Sequence, residues 1–202
     1  LARELHGAPL TRRRAIVSIL VRNHDSKNFE RLLRLLPDAE IGDYVRIALR
    51  GEVEHMSARE QELLRDKVAE LLKEREWLTD NVAVARSLRV LGTMRNARLA
   101  RTILPFATEK KPVPVRMAAI AALRRPLAAA KKTDEALRTL LRHADDPDAT
   151  LARCAVDTLR ELELPDDLTD ELIRLSEGRH AEARKFALEA LGPAGGKKVV
   201  QS

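Results

Sequence analysis

An internal repeat constrains the fold of this chain more than any other feature of its sequence. Four segments align on a leucine, and these anchor leucines stand 32, 36 and 32 residues apart. Four, three and one positions before each anchor the residue is small or apolar, which is the spacing of one helix face. A period of this length is typical of stacked helix pairs. The aligned segments are 84–91, 116–123, 152–159 and 184–191.

Another helix is predicted between successive anchors, because apolar residues there also recur at three and four positions. These helices are expected at 98–107, 134–143 and 167–177. The joints carry proline and aspartate, which favour helix starts through a preset φ and side-chain caps. They are Pro112, Pro114, 145–148 and Pro165 with Asp166. Each repeat is therefore interpreted as a first helix, a turn and a second helix that ends at the anchor.

The N-terminal part fits the same pattern more loosely, over residues 10–50. Segment 13–20 matches a second helix well, 28–36 is expected to be a first helix, and 42–49 is a weaker second helix. A single long helix is predicted from 58 to about 77, roughly 30 Å in length. Ser57 and Glu60 have the spacing of a capping box at its start. Its buried stripe is predicted to be Leu64, Val68, Leu71 and Leu72.

Composition favours an all-α chain. Leucine and alanine supply 61 of the 202 residues, whereas only five residues are aromatic. Because β-rich domains depend on aromatic and β-branched residues, the sequence predicts helices packed through leucine and alanine. About 11 helices are expected, with the clearer repeats in residues 80–192.

These features together resemble the HEAT repeat family in its bacterial HEAT-like form. The resemblance rests on the Asp-Pro-Asp turn at 146–148, on Leu-Gly helix endings, and on an arginine seven positions before the anchor leucine. That arginine stands at Arg13, Arg116 and Arg184, and is absent at Gly42, Val84 and Ala152. The resemblance implies one α-α superhelix over residues 1–202, in which this arginine pairs with acidic turn residues of a neighbouring repeat. It also implies that the second helices line the concave face.

Cysteine usage and hydropathy bound the setting of the chain. Cys154 is the single cysteine, so an internal disulfide and a multi-cysteine metal site are excluded. A single cysteine fits a reducing compartment, and a cytoplasmic location is expected. No apolar stretch reaches the length of a membrane span. Because the sequence starts at Leu1, and 195–200 resembles the opening of another repeat, the chain is expected to be part of a longer protein.

Motifs that would indicate catalysis are missing from the sequence. The five histidines are scattered, and none pairs with another at the i, i+4 spacing of a helical metal site. The repeated His-Glu pairs of the HEAT-built deoxyhypusine hydroxylases are absent. No nucleophile elbow or phosphate-binding glycine loop occurs. Cys154 is interpreted as a small buried hydrophobe. We therefore expect no enzyme activity, no metal, no cofactor and no small-molecule substrate.

Charge is distributed unevenly, and this is the strongest indication of a partner. Residues 81–132 carry twelve bases and one acid, Glu109, whereas 143–182 carry twelve acids and four bases. The predicted binding residues on this basic segment are Arg86, Arg89, Arg116, Arg124 and Arg125. A structural role at a helix C-terminus stays open for the last two. The sequence also does not decide whether this segment faces the concave or the convex side.

The partner most consistent with this surface is an acidic protein, bound by a non-catalytic scaffold. A neighbouring copy of the chain could supply the acidic surface. The alternative is binding to the phosphate backbone of a nucleic acid, with a salt dependence that grows with each phosphate contacted. DNA alkylation repeat glycosylases are the nearest nucleic-acid analogy, but they use concave-face aromatics. The single tryptophan, Trp77, lies outside the basic segment, so base recognition is not expected.

Overall fold

The computed structural model describes residues 8–130 and 134–199, and all the regular secondary structure in these residues is helical. Twelve α-helices and three short 3₁₀ turns are present in this part of the chain, and no strand. The helices are α1 (Leu10–Leu20), α2 (Ser26–Leu33), α3 (Gly42–Glu52), α4 (Ala58–Leu71), α5 (Arg75–Thr79), α6 (Asn81–Leu91), α7 (Leu99–Ile103), α8 (Val113–Ala128), α9 (Asp134–Ala144), α10 (Ala149–Leu159), α11 (Thr169–Ser176) and α12 (Ala181–Val199). The all-α prediction is confirmed.

The chain divides between Met94 and Arg95 into two compact units, here called unit 1 and unit 2. The prediction of one continuous array over residues 1–202 therefore stays a prediction. The twelve bases of the segment 81–132 are divided between the two units. Lys131 and Lys132 lie outside the described residues.

In unit 1, α3 packs against both α1 and α6, and α2 packs against α1 and α4. The core is mostly aliphatic, and its fully buried side chains include Leu36 and Leu49 together with the aromatic Phe29. The capping box at α4 is confirmed: the Ser57 hydroxyl accepts from the backbone N–H of Glu60, whose carboxylate accepts from the N–H of Ser57. The predicted stripe Leu64, Val68, Leu71 and Leu72 is also buried.

The prediction of one helix from 58 to 77 is wrong, because α4 ends at Leu71 and Leu72 is its C-cap. Glu74 adopts an extended backbone, with ψ of 126°, and the short helix α5 begins at Arg75. The break places Trp77 in the core, where its indole N–H donates to the hydroxyl of Ser87 at 3.1 Å. This tertiary contact outweighs a local sequence that contains no helix breaker. The split accounts for twelve helices where about 11 were expected.

In unit 2, α10 packs against α8, α9 and α12, while α11 packs against α9 and α12. The predicted small-residue stripe is buried on α8 and α10, as it is on α6 of unit 1. Asp148 caps α10 by accepting from the backbone N–H groups of Thr150 and Leu151. These contacts confirm the helix starts predicted from the Asp-Pro-Asp turn.

On α12 the predicted stripe is buried only in part, at Ala187. Leu188 is 48% exposed and Ala190 is exposed, because none of the described helices covers this side of α12. The Leu-Gly pair at Gly192 does mark a break: its φ of +60° lies in the left-handed region that favours glycine. The segment 195–200, which resembles the opening of a further repeat, follows this break. Its last residue, Val200, lies outside the described residues.

Candidate functional site

Two arginines of unit 1 converge on the turn between α2 and α3. From α1, the Arg13 guanidinium pairs with Asp38 and, at 2.9 Å, with Glu40. From α6, Arg86 donates to the carbonyl oxygens of Leu36 and Asp38, at 2.6 and 2.9 Å, and pairs with Asp43 at 2.9 Å. The turn is therefore held from both sides by cations whose charge is already compensated.

Arg86 is consequently not part of a surface, and its predicted role in a binding face is wrong. Its side chain is buried because the guanidinium fills the space beside Gly42, where a side chain would otherwise stand. Burial raises the pKa of Asp43, but the hydrogen bonds from Arg46 and Arg86 outweigh it and lower that pKa overall. The Arg86 guanidinium is thus engaged by acceptors inside unit 1.

Arg116 is also buried, so its predicted binding role is wrong for the same reason. Its guanidinium pairs with Asp146 and donates to Nδ1 of His143 at 3.2 Å. Nε2 of His143 contacts the carbonyl oxygen of Ala107. Since a guanidinium can only donate and a carbonyl can only accept, His143 is neutral with its proton on Nε2. Burial, reinforced by the charge of Arg116, lowers the pKa of His143.

The remaining predicted arginines lie nearer the surface. Arg89 on α6 is exposed, whereas Arg124 and Arg125 near the end of α8 are half-buried. Arg124 pairs with Glu161 at 2.5 Å in an exposed contact, and exposed pairs of this kind contribute little to stability. Of these three arginines, Arg89 is the one that is exposed, whereas Arg124 is half-buried and already paired.

An exposed basic stretch lies at the start of unit 2, at the turn and first helix where the sequence predicts that part of the basic charge faces outward. Arg95, Arg98 and Arg101 are all exposed, around the first turn of α7. Arg95 and Arg98 precede α7 and Arg101 lies on it, at the turn and first helix where the sequence places them.

The second helices of unit 1 form a face with mixed apolar and basic character. The Tyr44 hydroxyl on α3 lies 2.8 Å from that of Ser18 on α1, and the Arg14 guanidinium lies over the Tyr44 ring at 5.4 Å. Ile47, one turn after Tyr44, is 56% exposed. On α6, Val82 is 49% exposed and lies on the same side as Arg89. Arg50, one turn after Ile47, is also exposed. The name three-helix face is used below for Arg14, Tyr44, Ile47, Arg50, Val82 and Arg89.

Features that would indicate catalysis are limited in the described residues. No group of three or more His, Cys, Asp or Glu side chains there is arranged to hold a metal ion. Cys154 is partly buried and its thiol contacts the carbonyl oxygen of Met117, at 3.6 Å. Two clefts of about 60 and 220 Å³ are smaller than the roughly 300 Å³ of ordinary ligand pockets. None of the described helices is long and apolar enough to span a membrane.

Trp77 is likewise unavailable for stacking against a ligand, because it is buried and bonded to Ser87. The arginine at the fourth repeat, Arg184, donates to the carbonyl oxygens of Gly178 and Arg179 at 2.9 Å, and no described acid pairs with it. The arginine–acid pairing implied by the HEAT resemblance therefore occurs at Arg13 and Arg116, but takes another form at Arg184.

Comparison with known proteins adds no identity to this geometry. No protein-family model matches the chain, and no curated protein or solved structure matches it significantly. The HEAT resemblance stays a prediction from the sequence.

Proposed function

We propose that this chain is a non-catalytic interaction scaffold, built as a HEAT-like α-solenoid, that binds an acidic protein partner. The observation that carries the proposal is the three-helix face of unit 1. It combines exposed apolar side chains with exposed arginines, and none of the acids in the described part of the chain forms an ion pair with Arg14 or Arg89. A surface of this composition is typical of protein recognition, where apolar anchors are surrounded by charged side chains.

The count of charged residues on the three helices supports an acidic partner. Together α1, α3 and α6 contain seven arginines and two acids, Asp43 and Glu52. Asp43 is engaged by Arg46 and Arg86, and Glu52 lies 3.2 Å from His24. Both acids are engaged inside the unit, so the exposed Arg14, Arg50 and Arg89 attract negative charge from outside.

The arginine ion pairs support the solenoid arrangement. Arg13 joins α1 to the turn of the following helix pair, and Arg116 joins α8 to Asp146 in the turn that follows α9. In an array each repeat contacts only its neighbours, so a recurrent link of this kind is what stacking requires. The buried small residues Ala119 and Ala155 add to it, because they allow neighbouring helices to approach closely.

The scaffold proposal is tested by affinity capture followed by reconstitution. Wild-type protein and an Arg14→Glu, Arg50→Glu, Arg89→Glu variant are used as baits, with Arg31→Glu on α2 as the charge control. We expect an acidic protein that binds the wild type and the control, rebinds when purified, and loses at least tenfold in affinity for the triple variant. Purified candidates that bind all three baits equally would contradict the proposal.

Phosphate-backbone binding is the second candidate, and the exposed Arg95, Arg98 and Arg101 favour it. It is tested by fluorescence anisotropy with labelled DNA and RNA, single- and double-stranded, at about 50 and 200 mM salt. The test variant reverses the charge of Arg89, Arg95, Arg98 and Arg101. It leaves the buried Arg86 and Arg116 intact so that the fold is kept. Affinity that falls steeply with salt and is lost in this variant would place nucleic acid first.

A further inference from the structure

We infer that the three-helix face binds an acidic amphipathic helix of a partner protein, an inference that rests on the proposed scaffold function. The apolar side of that helix would cover Tyr44, Ile47 and Val82. Its carboxylates would meet Arg14, Arg50 and Arg89 around them. The ligand class follows from three properties of the face: its arrangement, its apolar exposure and its charge.

The arrangement is fixed by contacts on both sides of α3. Tyr44 of α3 meets α1 through Ser18 and Arg14. Asp43 of the same helix meets α6 through Arg86. The central helix thus presents Ile47 between its two neighbours. Packed helices lie roughly 8–10 Å apart, which leaves grooves of a width that side chains of another helix fill.

The apolar exposure is concentrated on α3 and α6. Ile47 and Val82 are 56% and 49% exposed, and together they give the face two apolar side chains that a ligand could cover. Ile19 on α1 is 52% exposed but does not belong to the face. Helical spacing turns it about 100° from Ser18, away from Tyr44. It therefore provides a matched control on the same unit.

The charge of the face selects the polarity of the ligand. Arg50 and Arg89 are exposed, and Arg14 is held in place over the Tyr44 ring by a cation–π contact. No described acid on α1 or α6 offsets them, since neither helix contains one. Carboxylates of a bound segment would supply the missing partners without displacing an internal ion pair.

The all-helical architecture decides the conformation of the ligand. An extended peptide binds most readily by adding a strand to a sheet edge, and the described residues contain no strand. A groove between helices instead accepts an amphipathic helix, whose apolar residues recur at i, i+3, i+4 and i+7. The expected partner segment has leucine-like residues at this spacing and Asp or Glu on its flanks.

The test uses a labelled synthetic helix of about 18 residues with this leucine and glutamate pattern. A scrambled peptide of identical composition controls for the helical pattern. A polyglutamate of the same length is the probe for charge alone. Affinities are measured by anisotropy at about 150 mM salt, where weak surface attraction is screened. The variants are Ile47→Ser with Val82→Ser, Arg14→Glu with Arg89→Glu, and the control Ile19→Ser. Circular dichroism confirms that each variant folds.

We expect the patterned helix to bind at least tenfold more tightly than the scrambled peptide. The serine pair and the arginine pair should each weaken it at least tenfold, while Ile19→Ser stays within twofold of wild type. Equal binding of patterned and scrambled peptides, or full affinity in the serine pair, overturns the inference. If polyglutamate binds as tightly as the patterned helix, and its affinity falls only in the arginine pair, the proposal of an acidic partner is supported but the proposal of a helical ligand is overturned. If no acidic probe binds and a DNA duplex does, both proposals fail.

Discussion

Arginine has two physical roles in this molecule, and burial separates them. Arg13, Arg86 and Arg116 are buried and bonded to carboxylates or carbonyl oxygens, where each orders a turn. Arg14 and Arg89 project from the same set of helices and are exposed. Arg86 stands five positions before its anchor leucine, whereas Arg13 and Arg116 stand seven before theirs. Its long side chain nevertheless reaches the neighbouring turn, so the link survives a shift in register.

Gly42 provides a test of this link at the scale of one residue. A Cβ at this position would collide with the carbonyl oxygen of Leu36 and with the Arg86 guanidinium. Because the backbone oxygen cannot move aside, we expect Gly42→Ala to cost about 1–3 kcal/mol of unfolding free energy. Gly51→Ala, on the same helix with open space around it, should be neutral or stabilise by up to about 1 kcal/mol. Urea unfolding measures both, and equal midpoints would contradict the packing of Arg86 against Gly42.

At the scale of elements, the network around His143 joins three segments of unit 2. Arg116 comes from α8, His143 from α9, and Asp146 from the turn before α10. Burial raises the pKa of Asp146, yet hydrogen bonds from Asp148 and Arg116 lower it overall, so its carboxylate stays charged beside the guanidinium. The network is therefore satisfied only when His143 is neutral and Asp146 is ionised.

The stability of unit 2 is consequently expected to fall in mild acid. The pKa of His143 is lowered from its ordinary 6.5, so the unfolded chain binds a proton before the folded chain does. Above about pH 6.5 the free energy of unfolding of unit 2 is not reduced by protonation of His143. It declines as the pH falls from there toward the folded-state pKa, by at most about 1.4 kcal/mol per pH unit.

His143→Gln removes this titration while keeping a donor for the Ala107 carbonyl. Urea midpoints at pH 7.5 and 5.5 should differ less for this variant than for wild type. His55→Gln, an exposed histidine in unit 1, should behave as wild type. The same pH dependence in His143→Gln and wild type would show that the buried imidazole is not responsible.

At the scale of the whole molecule, each unit has a buried core of its own. Trp77 is the single tryptophan of the chain and is buried in unit 1, so its fluorescence reports on that unit. Far-ultraviolet circular dichroism reports on helices in both units. The two signals together distinguish units that unfold separately from a chain that unfolds in one step.

Two substitutions on α8, Arg116→Met and Arg124→Met, test whether the two units unfold separately. The first leaves Asp146 unpaired in a buried site and should cost about 3–5 kcal/mol, whereas the second breaks an exposed pair and should cost about 1 kcal/mol or less. We expect Arg116→Met to lower the dichroism midpoint and to leave the Trp77 fluorescence midpoint near that of wild type. An equal shift of both midpoints would mean that the two units unfold as one.

The sequence by itself determined the helices, because their signals are local. Anchor leucines, capping residues and prolines depend on neighbours within a few positions, and they located eleven of the helical segments. Nothing local marked the end of α4 near Leu72; the contact that follows it, between Trp77 and Ser87, joins two different helices. A single predicted helix therefore became two.

The functional surface was decided only by the tertiary structure. Charge counting along 81–132 treats every arginine alike, but Arg86 meets its partner Asp43 across 43 positions and Arg116 meets Asp146 across 30. These partners lie on other helices, so packing alone decides which cations are neutralised inside and which remain outside. The same packing brings Tyr44 and Ile47 of α3 beside the arginines of α1 and α6. Sequence order fixes which residues lie on a helix, and the contacts between helices fix which of them a partner can touch.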